Sequence, residues 1–598
     1  MKKHYTDEKH ALILISLLKE HGIKKIITSP GTTNMPITAS IDNDNFFEVF
    51  SCVDERSAAY MACGMAEESG EPVALSCTGA TASRNYLPGL TEAFYRKLPV
   101  LAITSFNGNR HIGNLVAQNI DRTVLPNDVK RVSVQVPIVK DDTDAKYCNL
   151  LINKALLELR RAGGGPVHLN LTSTYEGTWT TKNLPKERVI KRWTNIDEVF
   201  LDTNRKFVIF IGAHKKFDKN LIDAIEGFCK KTNSVVMCDH TSSYNGTHKI
   251  LSALICSNLS KLSEVWSDLK PDTIVHIGEV SGDYPSHKIF DDCLDVWRVS
   301  EDGEVRDFGG NLRNVFEGKE HEFFNKFTPK EGSNDYYKIW QDLDAKFRGM
   351  MPNIPFSNAW IASKSHNEIP KDSYLNLAIL NSLRSWNYFP IDKSITTTSN
   401  VGGFGIDGCL STTVGASLTD QEKLYFAVIG DLAFFYDMNV IANRHTKGNL
   451  RILLVNNGCG VEFSLSTHIG SQFGEDVTKY ISAGGHFGSG NMSDSNVQKK
   501  EDRENKSLAK SWAESNGFLY IKASTKDEFL ASYKSFFSEK ASKSIIFECF
   551  TDPQDESVAL KSFASLNISK KERFIKYLKS IIPRDLKKIA KKIVKGIN

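Results

Sequence analysis

Short apolar runs of strand length alternate with amphipathic helical stretches through almost the whole chain, and this alternation constrains the fold most. The runs include PVALSCT and PVLAIT early in the chain, KFVIFIGA and TIVHIGE in the middle, and LYFAVIGD and RILLVNN later. Strands that alternate with helices predict an α/β fold of doubly wound parallel sheets. Because 598 residues exceed the size at which a single core divides, we predict three such domains, at 1–185, 190–350 and 355–565.

A basic segment follows the third predicted domain. Residues 569–598 hold eleven Lys or Arg and two acidic residues, whereas the whole chain has a net charge of only +4, so the remainder is mildly acidic. An acidic body gives no case for nucleic-acid binding. Apolar residues at 586, 589, 593 and 597 share one helical face, and lysines fill the other. This pattern predicts an amphipathic helix that docks on a membrane surface or on a partner. The alternative is a solvated extension of the chain. Because the chain lacks an apolar run of spanning length, we expect a cytoplasmic protein, peripheral at the inner face of the membrane if this tail docks there.

Two polar turns follow neighbouring strands of the third predicted domain. Gly430-Asp431 ends the apolar run LYFAVIG, and Asn456-Asn457 ends the next run, RILLV. Because the carboxyl ends of parallel strands meet at one edge of a sheet, we expect Asp431 and Asn457 to lie where open α/β sheets bind ligands. A carboxylate, an amide oxygen and a backbone carbonyl suit Mg²⁺, which takes its other ligands from phosphate and water. A buried Asp or a turn Asn without a metal is the alternative for either turn alone.

A glutamate begins a helix of small residues in the first predicted domain. Glu55 follows the strand-like run FFEVFSCV and opens ERSAAYMACGMAEESG, whose alanines and glycine can pack closely on a sheet. An acid at a helix start ordinarily caps the helix or compensates its dipole. Glu55 lies one strand before VALSCTGATASRN, and a functional role at this position is the alternative to capping.

Together these motifs resemble the thiamine diphosphate (ThDP)-dependent enzymes. The pieces SPGTTNMPITAS, FGIDGCLSTTVGAS and GDLAFFYDMN are most similar to one branch, the 2-succinyl-5-enolpyruvyl-6-hydroxy-3-cyclohexene-1-carboxylate synthases of menaquinone synthesis. The resemblance implies a pyrimidine-binding, a middle (transhydrogenase-like) and a diphosphate-binding domain. It also implies a homodimer or homotetramer in which the first domain of one chain faces the third domain of another. Such enzymes use ThDP and Mg²⁺ to make an acyl-anion equivalent from a 2-oxo acid with loss of CO₂. The cofactor stabilises the carbanion, and the protein binds and orients the cofactor.

The resemblance assigns cofactor roles to residues of both outer domains. Glu55 would hydrogen-bond N1′ of the aminopyrimidine, and Ile406 would hold the cofactor in its V-shaped conformation. Asp431, the side chain of Asn457 and the carbonyl of Cys459 would bind Mg²⁺. The remaining predicted cofactor contacts are Thr78, Gly79, Gly430, Leu432, Ala433, Gly460 and Val461.

Four positions depart from the synthase pattern, and each replaces an arginine. Thr33 (in Thr32-Thr33), Asn107, Trp386 and Val401 stand where the synthases hold the carboxylates of 2-oxoglutarate and isochorismate, whereas Gln118 and Ser382 are retained. Since guanidinium is the natural carboxylate clamp, these losses predict a less anionic substrate. Arg84, Arg110 and Arg384 are candidates for a replacement clamp.

Polar and aromatic side chains are predicted to line the substrate pocket instead. The substrate-binding set is Thr32, Thr33, Asn107, Ser382, Trp386, Val401 and Phe463. Hydroxyl, amide and aromatic groups suit a sugar or another polyol. Beside Glu55, the predicted catalytic residues are Gln118, His111 and Glu462. Histidine is a common proton relay and glutamate a common acid or base, although an ordinary surface residue fits the same pattern.

Three functions fit the sequence. The first is a ThDP- and Mg²⁺-dependent decarboxylase or carboligase that joins the acyl anion of a pyruvate-like acid to a carbonyl acceptor, such as a nucleotide sugar in surface-polysaccharide biosynthesis. The second is the menaquinone-pathway synthase with a rebuilt carboxylate clamp. The third is a non-catalytic binding or scaffold protein, against which the intact Glu55, Asp431 and Asn457 speak.

Overall fold

The structure, a computed structural model, describes residues 4–174, 177–263, 265–332, 335–465, 468–473, 478–484, 500–538 and 542–566. The chain divides into two compact units, one formed by Met1–Thr194 with Gly303–Glu317 and the other by Asn195–Asp302 with Gly318–Asn598. The basic helix predicted at 569–598 lies outside the described residues. No helix within them is long and apolar enough to cross a membrane.

The first part of the chain forms one parallel sheet with helices on both faces. The strands of this sheet are β1 (Lys25–Thr28), β2 (Glu48–Ser51), β3 (Val73–Cys77), β4 (Val100–Phe106), β5 (Val132–Val136) and β6 (Val167–Thr172), and β7 (Lys191–Trp193) follows outside it. Its helices are α1 (Lys9–Glu20), α2 (Met35–Ile41), α3 (Glu55–Ser69), α4 (Ala80–Asn85), α5 (Leu87–Tyr95) and α6 (Asp142–Glu158). The sheet order is β2-β1-β3-β4-β6-β5. One apolar core packs α1 and α6 on the sheet, and a second packs α3 and α5 on its other face.

The middle part adds strands β8 (Lys206–Ile211), β9 (Asn233–Cys238), β10 (Lys249–Leu251), β11 (Thr273–Ile277), β12 (Val296–Ser300) and β13 (Leu312–Glu317). Its helices are α7 (Lys219–Lys231), α8 (Ser252–Ser257), α9 (Trp266–Leu269), α10 (Glu320–Phe327) and α11 (Asp335–Gly349). In the second unit these strands run in the order β10-β9-β8-β11-β12. Strand β13 pairs in parallel with β7, and both belong to the first unit.

The last part contains strands β14 (Tyr374–Leu377), β15 (Thr396–Thr398), β16 (Tyr425–Gly430), β17 (Leu450–Asn456), β18 (Leu519–Ala523) and β19 (Ile545–Phe550). Its helices are α12 (Asn358–Ser365), α13 (Asn381–Trp386), α14 (Cys409–Ser417), α15 (Asp431–Asp437), α16 (Thr478–Ile481), α17 (Lys500–Asn505), α18 (Leu508–Ser515), α19 (Lys526–Phe536) and α20 (Pro553–Ala564). The sheet order is β15-β14-β16-β17-β19-β18.

The first and last sheets have the same strand order. Counted from its own first strand, each runs second, first, third, fourth, sixth, fifth, and all the pairings are parallel. In both sheets the residues predicted to bind the cofactor follow the second, third or fourth strand. The predicted fold class of parallel α/β sheets is therefore confirmed. In each of the two sheets, the candidate edge is the carboxyl edge that carries the predicted cofactor residues, and these residues follow equivalent strands.

Candidate active site

Asp431 and Asn457 lie at the carboxyl ends of neighbouring strands in the second unit. Asp431 is the first residue of α15, directly after β16, and Asn457 follows β17, which pairs with β16 along its length. Both side chains are buried. The backbone holds the Asp431 carboxylate, because Oδ1 accepts from the amide of Leu432 (2.9 Å) and Oδ2 from the amide of Gly458 (2.5 Å). Gly458 adopts a left-handed φ of 84°, which a glycine reaches without strain.

The surroundings of Asp431 suit a bound cation. Burial raises the pKa of Asp431 to about 7, although the amide of Gly458 and the guanidinium of Arg503 oppose that rise. A divalent cation favours the ionised carboxylate, and Asn457 presents an amide oxygen that also accepts from the Cys459 amide (3.2 Å). No three His, Cys, Asp or Glu side chains in the described residues could hold a metal alone. The donor set therefore fits a divalent metal that completes its coordination with diphosphate and water.

A pocket of about 180 Å³ opens in front of these two residues. It is lined by Asn358, Ala378, Ile379, Leu380, Asn381, Ser382, Ile406, Gly430, Asp431, Leu432, Ala433, Val455, Asn457, Cys459, Gly460, Val461, Glu462 and Phe463. A Cβ atom on Gly430 would meet nothing within 4 Å, so the space before this strand end is open. The structure thus brings together the predicted cofactor residues of the second unit. Its charged lining residues are Asp431 and Glu462, both acidic.

Glu462 is tied to an arginine. It lies in a short 3-10 turn, Val461–Ser464, and both of its oxygens accept from Arg384 on α13, at 2.5 and 3.0 Å. The two side chains are each 17% exposed. Arg384, a candidate for the replacement clamp, is therefore already engaged by a carboxylate of the chain itself.

The predicted substrate residues of the second unit fall into two groups. Ser382 and Phe463 line the pocket, whereas Trp386 and Val401 do not. Trp386 is fully buried, and its indole N–H donates to Oδ1 of Asn358 (3.1 Å). Val401 is buried against Gly282, where an added Cβ would lie 2.8 Å from the valine Cγ1. The structure therefore gives Trp386 and Val401 buried packing positions outside the pocket lining, contrary to their predicted role in binding substrate.

Glu55 lies at the corresponding edge of the first unit. It is the first residue of α3, and its side chain is half-buried. The preceding Asp54 caps the helix, because its carboxylate accepts from the Arg56 amide (3.1 Å) and the Ser57 hydroxyl (2.8 Å). Capping therefore belongs to Asp54, and the Glu55 carboxylate is not used for it.

Thr33, Thr78 and Gly79 meet at the same edge. The Thr33 hydroxyl donates to the carbonyl of Ser105 (2.9 Å) and accepts from the Thr78 hydroxyl. Gly79 approaches the fourth strand closely, since an added Cβ would lie 3.2 Å from the same Ser105 carbonyl. Thr32, next to Thr33, is exposed.

The segment after β4 carries the other predicted residues of the first unit. Asn107 follows the strand directly, and its buried Oδ1 has no hydrogen-bond partner among the described residues. His111 ends a short turn and its Nε2 accepts from Arg110 (3.1 Å). Gln118 is exposed, with a left-handed φ of 64°.

Sequence reasoning missed one buried cation at this edge. Arg122 is 2% exposed, and neither terminal nitrogen has a hydrogen-bond partner in the described chain. Its guanidinium lies 4.6 Å from the centroid of the Phe106 ring and near Gly79. By contrast, Arg84 donates to the carbonyl of Asp121 (2.7 Å). No motif distinguishes Arg122 in NIDRTVLP, so only its burial identifies it.

The fold and the two candidate edges define a ThDP-dependent enzyme. One parallel sheet carries a glutamate that is free of its own helix cap, and a second sheet of the same strand order carries a buried Asp and Asn before a pocket. Residues 9–125 match the family described as thiamine pyrophosphate enzyme, N-terminal TPP binding domain. This match agrees with the fold and is consistent with ThDP as the cofactor.

Curated relatives identify the branch. The chain is 30% identical over 577 residues to the 2-succinyl-5-enolpyruvyl-6-hydroxy-3-cyclohexene-1-carboxylate synthase of Bacteroides thetaiotaomicron, covering 94% of this chain and 99% of the relative. It is 29% identical over 576 residues to the synthase of the same name from Phocaeicola vulgatus (94% and 98%). Identity is 27% over 583 residues with that of Flavobacterium psychrophilum (92% and 97%). The chain therefore belongs to this family of ThDP-dependent enzymes.

Proposed function

We propose that the protein decarboxylates a 2-oxo acid with a single carboxylate, such as pyruvate, and transfers the resulting acyl anion to a carbonyl acceptor. The observation that carries this proposal is the charge of the pocket in the second unit. No Lys, Arg or His is among its described lining residues, and Arg384, which donates to the lining residue Glu462, is engaged by that carboxylate. A second carboxylate held against these lining residues would be desolvated without a cationic partner among them, which costs several kcal/mol.

Each side chain has a specific part in this proposal. Asp431, Asn457 and the carbonyl of Cys459 would hold Mg²⁺, and the open space at Gly430 would admit the diphosphate. Glu55 would hold a proton at N1′ of the aminopyrimidine and so control the tautomer of the cofactor. ThDP supplies the chemistry that stabilises the acyl anion once CO₂ has left. The half-buried position of Glu55 and its freedom from capping support its part.

The acceptor proposed is a sugar or nucleotide sugar in surface-polysaccharide biosynthesis. Hydroxyl and amide groups near the two edges, including Ser382, Asn358 and Asn107, suit a polyol. The proposed assembly is a homodimer or homotetramer with shared active sites. The basic segment at 569–598 would place it at the inner membrane surface, and co-sedimentation of full-length and 1–568 protein with anionic liposomes tests that placement. Equal pelleting of the two would contradict it.

The experiment that tests the reaction is a panel of 2-oxo acids. Purified protein with ThDP and Mg²⁺ is given pyruvate, 2-oxobutyrate or 2-oxoglutarate, and CO₂ release is followed by a coupled assay. We expect turnover of the monocarboxylates and little turnover of 2-oxoglutarate. If none of the three 2-oxo acids releases CO₂ although the protein has bound ThDP, the proposal is contradicted.

A second candidate function is the synthase reaction after which the relatives are named. Its support is the identity of about 30% over 94% of the chain to synthases of that name. Against it stand Thr33, Asn107, Trp386 and Val401, which leave no arginine at the four clamp positions. Product formation from 2-oxoglutarate and isochorismate, without turnover of pyruvate, would favour this candidate.

A further inference from the structure

We propose that Glu462 is a built-in carboxylate that occupies Arg384 and thereby excludes 2-oxo acids with a second carboxylate. This inference rests on the proposed function, because it concerns which 2-oxo acid the same pocket admits. It turns an acid that sequence reasoning offered as a catalytic residue into a residue that determines specificity.

The geometry of the pair is that of a guanidinium bound to a substrate carboxylate. Nη1 and Nη2 of Arg384 each donate to a different oxygen of Glu462, at 2.5 and 3.0 Å. Hydrogen bonds in such two-pronged, charge-assisted pairs are roughly twice as strong as those between neutral groups, and the pairing fixes their geometry. Glu462 lines the pocket, while Arg384 lies behind it on α13, the helix that also carries the lining residue Ser382.

The other acid near Arg384 does not replace Glu462. Asp283 is buried, and one of its oxygens accepts from both the amide (3.0 Å) and the hydroxyl of Ser286. Burial, followed by the charge of Asp239, raises the pKa of Asp283 to about 6, whereas Arg384 opposes the rise. Asp283 therefore acts on Arg384 through its charge, and Glu462 makes the hydrogen bonds.

This arrangement determines what a dicarboxylate meets in the pocket. Its second carboxylate would meet the carboxylate of Glu462, which lines the pocket and already accepts from both terminal nitrogens of Arg384. Like charges at short range in a partly buried site repel strongly. Removing the charge of Glu462 while keeping its shape would leave Arg384 available to the carboxylate of the substrate.

The test compares kcat/KM for 2-oxoglutarate and pyruvate in the wild type, in Glu462→Gln and in Arg384→Met/Glu462→Gln. We expect the ratio of the two values to rise at least about tenfold in E462Q and to return to the wild-type value in the double variant. If Glu462 is instead a general acid or base, E462Q will lower both values and leave the ratio unchanged, which would overturn the inference. A ratio that stays high in the double variant would overturn it as well.

Binding measurements separate this inference from the proposed function. Glutarate and butyrate are titrated by calorimetry into each protein loaded with ThDP and Mg²⁺, so that no turnover is needed. Glutarate should bind E462Q at least about tenfold more tightly than the wild type, with no such gain in the double variant. Failure of the proposed function would be seen in the wild type, as bound ThDP without pyruvate turnover. Failure of this inference alone would be seen as active wild type and unchanged glutarate affinity in E462Q.

Discussion

Asp54 and Glu55 are adjacent acids in different environments. The Asp54 carboxylate is engaged by the amide and hydroxyl at the start of α3, and Glu55 is left without that task. In the second unit Asp431 has the opposite setting, since two backbone amides hold it in a buried position. The free carboxylate of Glu55 suits a group that shares a proton with the aminopyrimidine. The fixed carboxylate of Asp431 suits a metal ligand.

The metal site yields a prediction for a single residue. Asp431→Asn should weaken Mg²⁺-dependent ThDP binding by about 100-fold or more, because a neutral amide replaces the charged ligand. The matched control is Asp437→Asn on the same helix, since Asp437 accepts from the amide of Ser411 (2.7 Å) and does not line the pocket. Calorimetric titration of ThDP at fixed Mg²⁺ measures both variants. Equal losses in D431N and D437N would contradict the assignment.

The position of a site residue could be predicted from the sequence where that residue directly ends a strand-like apolar run. Asp431 and Asn457 each end an apolar run, so their positions follow from the alternation of strands and helices. The buried Trp386 donates to Asn358, which lies 28 residues earlier in the chain, and the buried Val401 lies against Gly282, from the middle of the chain. The link between Arg384 and Glu462 spans 78 residues. Such long-range contacts have no local signature.

At the scale of elements, the alternation of runs predicted parallel sheets but not their strand order. Order depends on where each crossover helix packs, which local patterns do not reveal. The close packing of α3 is an example. Its alanines were predicted to pack on a sheet, and they also pack against α5. At that contact a Cβ on Gly89 would lie 2.5 Å from the Cβ of Ala59.

The contact between α3 and α5 predicts opposite effects for two glycine substitutions. Gly89→Ala should destabilise the protein by about 1–3 kcal/mol, because its methyl group would overlap Ala59. Gly64→Ala, on the exposed face of α3 with nothing within 4 Å, should stabilise it by about 0.5–1 kcal/mol. Urea unfolding of both variants measures these changes. A destabilising G64A together with a neutral G89A would refute this account of the packing.

A buried carboxylate on α7 predicts a pH dependence. Burial alone would raise the pKa of Glu226, but hydrogen bonds from His248 (2.7 Å), Thr247 and Tyr244 (2.7 Å) outweigh it and lower the pKa to about 2. Because the folded pKa lies below the ordinary value of 4.5, this contribution is present above pH 4.5 and is lost as the pH falls towards 2.

Glu226→Gln should therefore lower the free energy of unfolding by about 2 kcal/mol at pH 7 and by clearly less at pH 3. Urea unfolding of wild type and variant at the two pH values provides the measurement. A difference of the same size at both pH values would show that the ionised form of Glu226 is not what stabilises the fold.

At the scale of the whole molecule, the two candidate edges belong to different compact units. Glu55 lies in one and Asp431 in the other. We propose that each active site combines Glu55 of one chain with Asp431 of another, as the resemblance to ThDP-dependent enzymes implies. Symmetric pairing of two identical chains would then create two equivalent sites.

Shared sites predict complementation between two inactive variants. When Glu55→Gln and Asp431→Asn chains are coexpressed under different tags, each mixed dimer should hold one intact site and one doubly altered site. The purified mixed dimer should therefore have about half of the wild-type turnover, although each variant alone has almost none. Steady-state assay of the doubly purified mixed dimer is the measurement, with each homodimer as a control. Mixed dimers as inactive as the homodimers would place both residues of a site in one chain.

The central claim is that Glu55 activates bound ThDP, and hydrogen–deuterium exchange at C2 of the thiazolium measures this without any substrate. Protein loaded with ThDP and Mg²⁺ is diluted into D₂O, quenched in acid and read by NMR, for the wild type, Glu55→Gln and the neighbouring control Asp54→Asn. We predict exchange in the wild type and in D54N that is faster by orders of magnitude than in free ThDP, and a loss of most of this acceleration in E55Q. Equal exchange rates in wild type and E55Q, with equal ThDP occupancy, would contradict the account.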